Sequence, residues 1–173
     1  PSTSSAASDV YKRQTEGIAE FDGNGGGNGL TVDGVAYTFP IGDKTTAFVG
    51  ADSDGSSLFT TACVYGGPGN LLDDCANVNA GITGGTTAMG ASYDFGSGFT
   101  AAFGAQTGNA SVFTEESTDS YAVNAAYTAD SYAISLTYGV VEAVDANDVL
   151  TDEEDKFTAI NAYYTPEGNL PSI

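Results

Sequence analysis

Carboxylates are the one class of chemically active side chain that this sequence holds in abundance. Twenty-three Asp and Glu stand against four Lys and Arg, with no His and two Cys, for a net charge of −19. The acids come in runs: Asp73-Asp74, then Glu115, Glu116 and Asp119, then Glu142, Asp145, Asp148, Asp152, Glu153, Glu154 and Asp155. Without His the commonest general base and metal ligand is missing. No nucleophile–base pair, phosphate-binding loop or metal-ligand spacing occurs, so no catalytic residue, metal or cofactor is expected. Neighbouring acids in acidic segments follow from composition and give no sign of glycosidase-type chemistry. Such runs act electrostatically instead. They concentrate cations and repel anions over about a Debye length, and rings of carboxylates make pores prefer cations. Two other roles stay open for them: keeping loops solvated, and bridging divalent ions at a cell surface. The same charge excludes nucleic acid as a partner and disfavours an anionic membrane surface.

Cys63 and Cys75 sit twelve positions apart in a Gly-rich stretch. That spacing suits a local disulfide closing a loop in an oxidising compartment, with two unpaired thiols as the alternative. The segment Phe21 to Gly34 (FDGNGGGNGLTVDG) has the look of one degenerate Ca²⁺-binding Gly-Asp repeat. Such repeats need successive copies, so a connection ahead of the first strand is expected here.

The elements that must position the acids read as strands. From Leu30 onward apolar residues alternate with small or polar ones, the period of a β-strand. Val35 to Phe39 and Thr46 to Gly50 form one predicted hairpin around Pro40-Ile41-Gly42-Asp43. In the next, Met89, Ala91, Tyr93 and Phe95 lead through Gly96-Ser97-Gly98 to Phe99, Ala101, Phe103 and Ala105. The third is the most regular. Tyr121, Val123, Ala125 and Tyr127 share a face, as do Tyr132, Ile134, Leu136, Tyr138 and Val140 after the turn Ala129-Asp130-Ser131. A seventh strand is expected near Phe157 to Thr165, with an eighth after Pro166-Glu167-Gly168-Asn169. Links of about three to five residues alternate with long ones, expected over 52–85, 108–119 and 142–155, which hold fourteen of the acids.

Short–long alternation belongs to barrels that cross an outer membrane, with tight turns at one rim and longer loops at the other. No apolar run is long enough for a transmembrane helix, so strands would do the spanning. The predicted lipid-facing girdle is Tyr93, Phe95, Phe99, Phe103, Tyr121, Tyr127, Tyr132 and Tyr138, rings with an apolar body and, in Tyr, a hydroxyl that wants water. The predicted pore lining is Ser92, Asp94, Thr100, Gln106, Asn124, Thr128, Ser135 and Thr137. That face carries almost no Lys or Glu, although the exposed face of a soluble sheet usually does. Asp73, Asp74, Glu115, Glu116, Asp152, Glu153, Glu154 and Asp155 would then mark an acidic entrance or constriction. The long loop holding Cys63 and Cys75 either folds into the lumen or stays outside.

Two stretches carry a family resemblance: GNGLTVDGVAYTFPIGDKTTAFVG (Gly27 to Gly50) and TPEGNLPSI (Thr165 to Ile173). They resemble cyanobacterial outer-membrane porins of the carbohydrate-selective porin superfamily, which includes iron-uptake porins. The resemblance implies a barrel of about sixteen strands, often trimeric, in outer-membrane lipid, that passes small hydrophilic solutes and ions, with sugar and iron as the family's labels.

The expected architecture is all-β: an antiparallel up-and-down meander of about seven to eight strands, part of a transmembrane outer-membrane β-barrel. Residues 1–14 read as an adapter-like leader, 15–29 as a Gly-rich connection and 30–173 as the partial barrel. Two rival readings are a soluble extracellular β-sandwich with acidic binding loops, and a small structural or adhesive outer-membrane barrel. In either case the chain is expected not to be an enzyme.

Overall fold

The computed structural model describes residues 16–22, 31–62, 82–108, 118–144 and 150–166. They form one antiparallel sheet of eight strands: β1 (Glu16–Asp22), β2 (Thr31–Ile41), β3 (Thr45–Ser53), β4 (Gly85–Gly96), β5 (Phe99–Thr107), β6 (Asp119–Thr128), β7 (Tyr132–Val144) and β8 (Leu150–Tyr164). Each strand pairs only with its neighbours in sequence, so the topology is a plain up-and-down meander. Among the described residues β1 and β8 do not meet, and the sheet has two open edges.

The hairpin turns follow their local chemistry. Ser97 and Gly98 both have positive φ, 56° and 87°, as a two-residue primed turn requires. Only Gly fits at 98, because a Cβ there would collide with the Thr128 carbonyl of the neighbouring hairpin. Phe95 is the extra residue of a bulge between Asp94 and Gly96. In the first hairpin Pro40 and Ile41 belong to β2, pairing with Thr46 and Thr45, so the turn is 42–44 rather than 40–43.

Three boundaries depart from expectation. Glu16–Asp22, placed in the Gly-rich connection, is a strand paired with Gly34 to Thr38 and, past a bulge, with Thr31 and Val32. It supplies the eighth strand at the front of the sheet; the eighth expected after residue 166 lies outside the described residues. The third long link is not long. β7 runs to Val144 and β8 starts at Leu150, so Glu142 and Asp152, Glu153, Glu154 and Asp155 are strand residues, with 145–149 between the two strands. The other long links, 54–84 and 108–118, keep the short–long pattern.

The burial pattern is the reverse of a soluble sheet. On β6 Tyr121, Val123 and Ala125 are exposed, whereas Ala122, Asn124 and Ala126 are buried. On β7 Tyr132, Ile134, Leu136 and Tyr138 are exposed, and Ala133, Ser135 and Thr137 are buried. Register carries this parity across β2 to β8: Tyr37 opposes Val49, Phe103 opposes Val123, Val123 opposes Tyr138, and Leu136 opposes Ile160. Among the described residues every large apolar side chain that is exposed lies on this one face, from Val35 to Tyr164. We call it the outer face. Among the described residues what is buried is mostly alanine and small polar residues, with Phe48, Ile82 and Val140 the only large apolar members.

Candidate functional site

The site is the inner face of the sheet and the chain segment that lies on it. After β3 the chain does not leave the sheet: Asp54 to Ala62 crosses the inner faces of β5, β6 and β7 in turn. Gly55 N–H donates to Gln106 Oε1 at 3.0 Å, and Gln106 Nε2 donates to the Thr83 carbonyl at 2.9 Å. One step on, Thr60 N–H donates to Asn124 Oδ1 at 3.0 Å while Asn124 Nδ2 donates back to the Thr60 carbonyl at 3.1 Å. Ala62 N–H then donates to Ser135 Oγ at 3.0 Å. Thr100 Oγ1 and Thr60 Oγ1 are 3.1 Å apart. We call this segment the strap.

Each contact has a local cause. The alternation of β6 aims Asn124 inward, and its amide holds both polar groups of Thr60 as a neighbouring strand would. A second bond from Nδ2 to Thr137 Oγ1, at 3.0 Å, fixes which way the amide points. Backbone buried on a sheet face must find partners, and Gln106, Asn124 and Ser135 provide them. Close approach needs small residues. A Cβ on Gly104 would collide with the Gly55 carbonyl, and one on Gly55 would meet Ile82. Within the strap Ser57 N–H and Phe59 N–H donate to the carbonyls of Asp54 and Ser56, folding its first turn.

All eight side chains expected to line a pore fall on the inner side, but not in one environment. Gln106, Asn124, Ser135 and Thr137 are buried, with at most 7 % exposure, under the strap. Gln106, Asn124 and Ser135 hold protein backbone and Thr137 holds the Asn124 amide where water was expected, a correction that follows from the strap's path. Ser92, Asp94, Thr100 and Thr128 keep some or much of their surface open. Asp94 accepts from Gly96 N–H at 2.7 Å and so braces the hairpin bulge.

The eight predicted girdle residues all point outward. Seven are exposed, and Tyr127 is half-buried between rings, with centroids 4.5 Å from Phe99 and 5.7 Å from Tyr132. Tyr93 packs edge-on against Phe95 at 4.7 Å. These rings form a row beside the tight turns, ending at Tyr164 opposite Tyr132. A second, broken row runs through Tyr37, Phe103, Tyr138 and Tyr121. Level with Tyr121 and beyond it, Ala105, Thr107 and Val140 of the outer face are buried, whereas Val35 on β2 stays exposed. From Tyr127 to Tyr121 the band is about 20 Å along the strand. Two apolar grooves cross it, of about 490 and 810 Å³, walled by Tyr93, Phe103 and Tyr138 in one and Phe99, Tyr127 and Ile134 in the other.

The acids divide between described and undescribed chain. Asp73, Asp74, Glu115, Glu116, Cys63 and Cys75 lie outside the described residues, as does the leader 1–14. Asp152 is in β8, and Glu153, Glu154 and Asp155 are exposed on the same strand. Val141 of β7 faces Asp155, and Glu142 faces Glu154 one step past the Val141–Ser120 pair where the β6–β7 ladder ends. A directly opposed Glu pair is repulsive. Glu142 accepts from Asp119 N–H at 3.0 Å, and Glu154 pairs with Lys156 at 3.5 Å, two exposed side chains. Among the described residues no group of three or more His, Cys, Asp and Glu could hold a metal.

The strap itself was the feature that sequence reading left undecided between lumen and exterior. Its signal is faint: Gly55 and Gly104, and inward amides on two adjacent strands. No protein-family model, curated protein or solved structure matches the chain.

Proposed function

We propose that this chain is part of a transmembrane β-barrel of the outer membrane, a passive water-filled channel that favours cations and passes small hydrophilic solutes and inorganic ions. The observation that carries the reading is the reversed sheet: large apolar side chains bare on one face, small and polar ones covered on the other. Water penalises such a face by roughly 25 cal/mol for each Å² of apolar surface left uncovered, and monomeric proteins rarely expose patches beyond a few hundred Å². Acyl chains remove that penalty. In hydrocarbon the backbone must pair internally, which strands achieve only in a closed barrel. The open edges of β1 and β8 therefore call for further strands, and the resemblance to cyanobacterial porins suggests about sixteen in all. Homotrimeric assembly and passage of sugars or iron rest on that resemblance alone.

In this reading the strap is the constriction. Its backbone is tied to the wall by uncharged amides and hydroxyls, so its seat is insensitive to salt, unlike an ion-paired one. The acidic β7–β8 extension stands at the long-link rim, where it would enrich cations at the mouth.

Membrane extraction and planar-bilayer recording test the reading together. The protein is expected to stay with membranes through alkaline carbonate, to need detergent for release, and to give discrete ohmic steps in a bilayer. A monodisperse protein in detergent-free buffer, silent in bilayers, would favour the soluble β-sandwich.

A further inference from the structure

The outer face is unevenly filled. Register sets Ala101 of β5 directly opposite Ala125 of β6, with Tyr93 beside the first and Leu136 beside the second. The rows on either side are bulky: Phe103, Val123 and Tyr138 in one, Phe99, Tyr127 and Ile134 in the other. The two alanines therefore floor a hollow. Both apolar grooves, of about 490 and 810 Å³, include Ala101, Ala125 and Leu136 in their lining, so they are two lobes of one feature. It runs across β4 to β7, roughly 14 Å for three strand spacings. Between the rings its lining is hydrocarbon. Ser92, Thr100, Asn124 and Ser135 border the grooves, but their parity turns them to the inner face. Among the described residues at the tight-turn rim, Asp43, Asp94 and Asp130 outnumber Lys44, and all four are exposed.

We infer that this hollow seats one acyl chain of a membrane lipid whose head group lies at the tight-turn rim and carries no net negative charge; the inference rests on the barrel reading. Three features select the occupant. The hollow lies within the apolar band and is continuous with the surface that the barrel reading gives to lipid. It asks for hydrocarbon alone. In a bilayer there is no water to expel, so retention comes from packing: a chain between the rings touches them on both sides, whereas a chain on a flat face touches one. A second copy of the protein fits less well, because a two-fold axis through the hollow would set hollow against hollow. The excess of carboxylates at the rim repels an anionic head group and tolerates a zwitterionic or uncharged one.

The experiment is native mass spectrometry of the complete encoded protein, released by mild detergent from vesicles of equal phosphatidylcholine and phosphatidylglycerol. The parent is expected to keep one lipid per chain, with phosphatidylcholine favoured about threefold or more. Ala101→Leu/Ala125→Leu fills the floor from the exposed side of the sheet and should cut the retained lipid about tenfold. Val35→Leu, on the same face but away from the hollow, should leave it unchanged. Asp94→Asn/Asp130→Asn should erase the preference and keep the lipid; Asn at 94 can still accept from Gly96 N–H, so the hairpin bulge survives the loss of charge. A membrane-inserted parent that keeps no lipid, equal retention in the leucine variant, or a parent that favours phosphatidylglycerol overturns this inference and leaves the barrel standing. A leucine variant that breaks an oligomer into single chains without losing lipid overturns it in favour of a second copy. A parent that needs no detergent overturns the barrel reading, and this inference with it.

Discussion

The two faces of β6 teach opposite lessons about what each side of the sheet must satisfy. Outward, Tyr121, Val123, Ala125 and Tyr127 offer apolar surface and no contact from the described chain beyond their own sheet. Inward, Ala122, Asn124 and Ala126 are buried, and Asn124 spends its amide on Thr60 backbone. The outer face makes few specific demands on any neighbour; it is broad, apolar and bordered by rings. The inner face is specific, with hydrogen bonds to one segment at three positions. In the proposed barrel the outer face would meet a fluid solvent, whereas the inner face meets one chain segment. The energy of the outer face comes from area, that of the inner face from geometry.

The sharpest way to break the comparison is to place a charge in the middle of the outer face. Leu136→Arg is expected to cost about 2 to 4 kcal/mol when folding is measured by urea titration in lipid vesicles, because the proposed barrel puts the site in hydrocarbon. At an exposed position of a soluble sheet the same change would stay within about 0.5 kcal/mol. The next effect is smaller and belongs to the inner face. Gly104→Leu puts a side chain where the Gly55 carbonyl lies, so the strap cannot seat; a cost of about 1 to 3 kcal/mol is expected, with a larger unit conductance.

Asn124→Leu comes third. It leaves the Thr60 N–H and carbonyl without their partner, at about 1 to 3 kcal/mol, and hydrogen exchange at Thr60 should accelerate while exchange in β4 does not. Smallest of all is Lys156→Met, which removes one exposed ion pair with Glu154 and should change stability by no more than about 0.5 kcal/mol.

The outer face was almost entirely legible before the structure. Strict alternation from Tyr121 to Val140 and from Met89 to Ala105 assigned each side chain to a side, because a period of two leaves no freedom once the strands exist. The rest was hidden for particular reasons. Glu16–Asp22 is short and places Glu20 and Asp22 among its apolar residues; it becomes a strand by pairing with β2. Leu150 to Lys156 (LTDEEDK) is poor in strand formers, and its pairing with β7 overrides local preference. The strap has no periodicity at all. Its seat depends on Asn124 and Thr60, 64 residues apart, and a lone inward Asn looks the same whether it meets water or backbone. Gln106, Asn124, Ser135 and Thr137 were therefore placed on the right side with the wrong neighbour.

The central claim is that the outer face touches acyl chains. Nitroxide labels at successive positions 121 to 127, on a Cys63→Ser/Cys75→Ser background in lipid vesicles, test it most directly through collision rates with oxygen and with a water-soluble nickel chelate. Oxygen access should peak at 121, 123, 125 and 127 and drop at 122, 124 and 126, with nickel access low on the odd positions near 123 and 125. Odd positions that collide freely with nickel, or that are shielded from both reagents by a second layer of protein, would contradict the account.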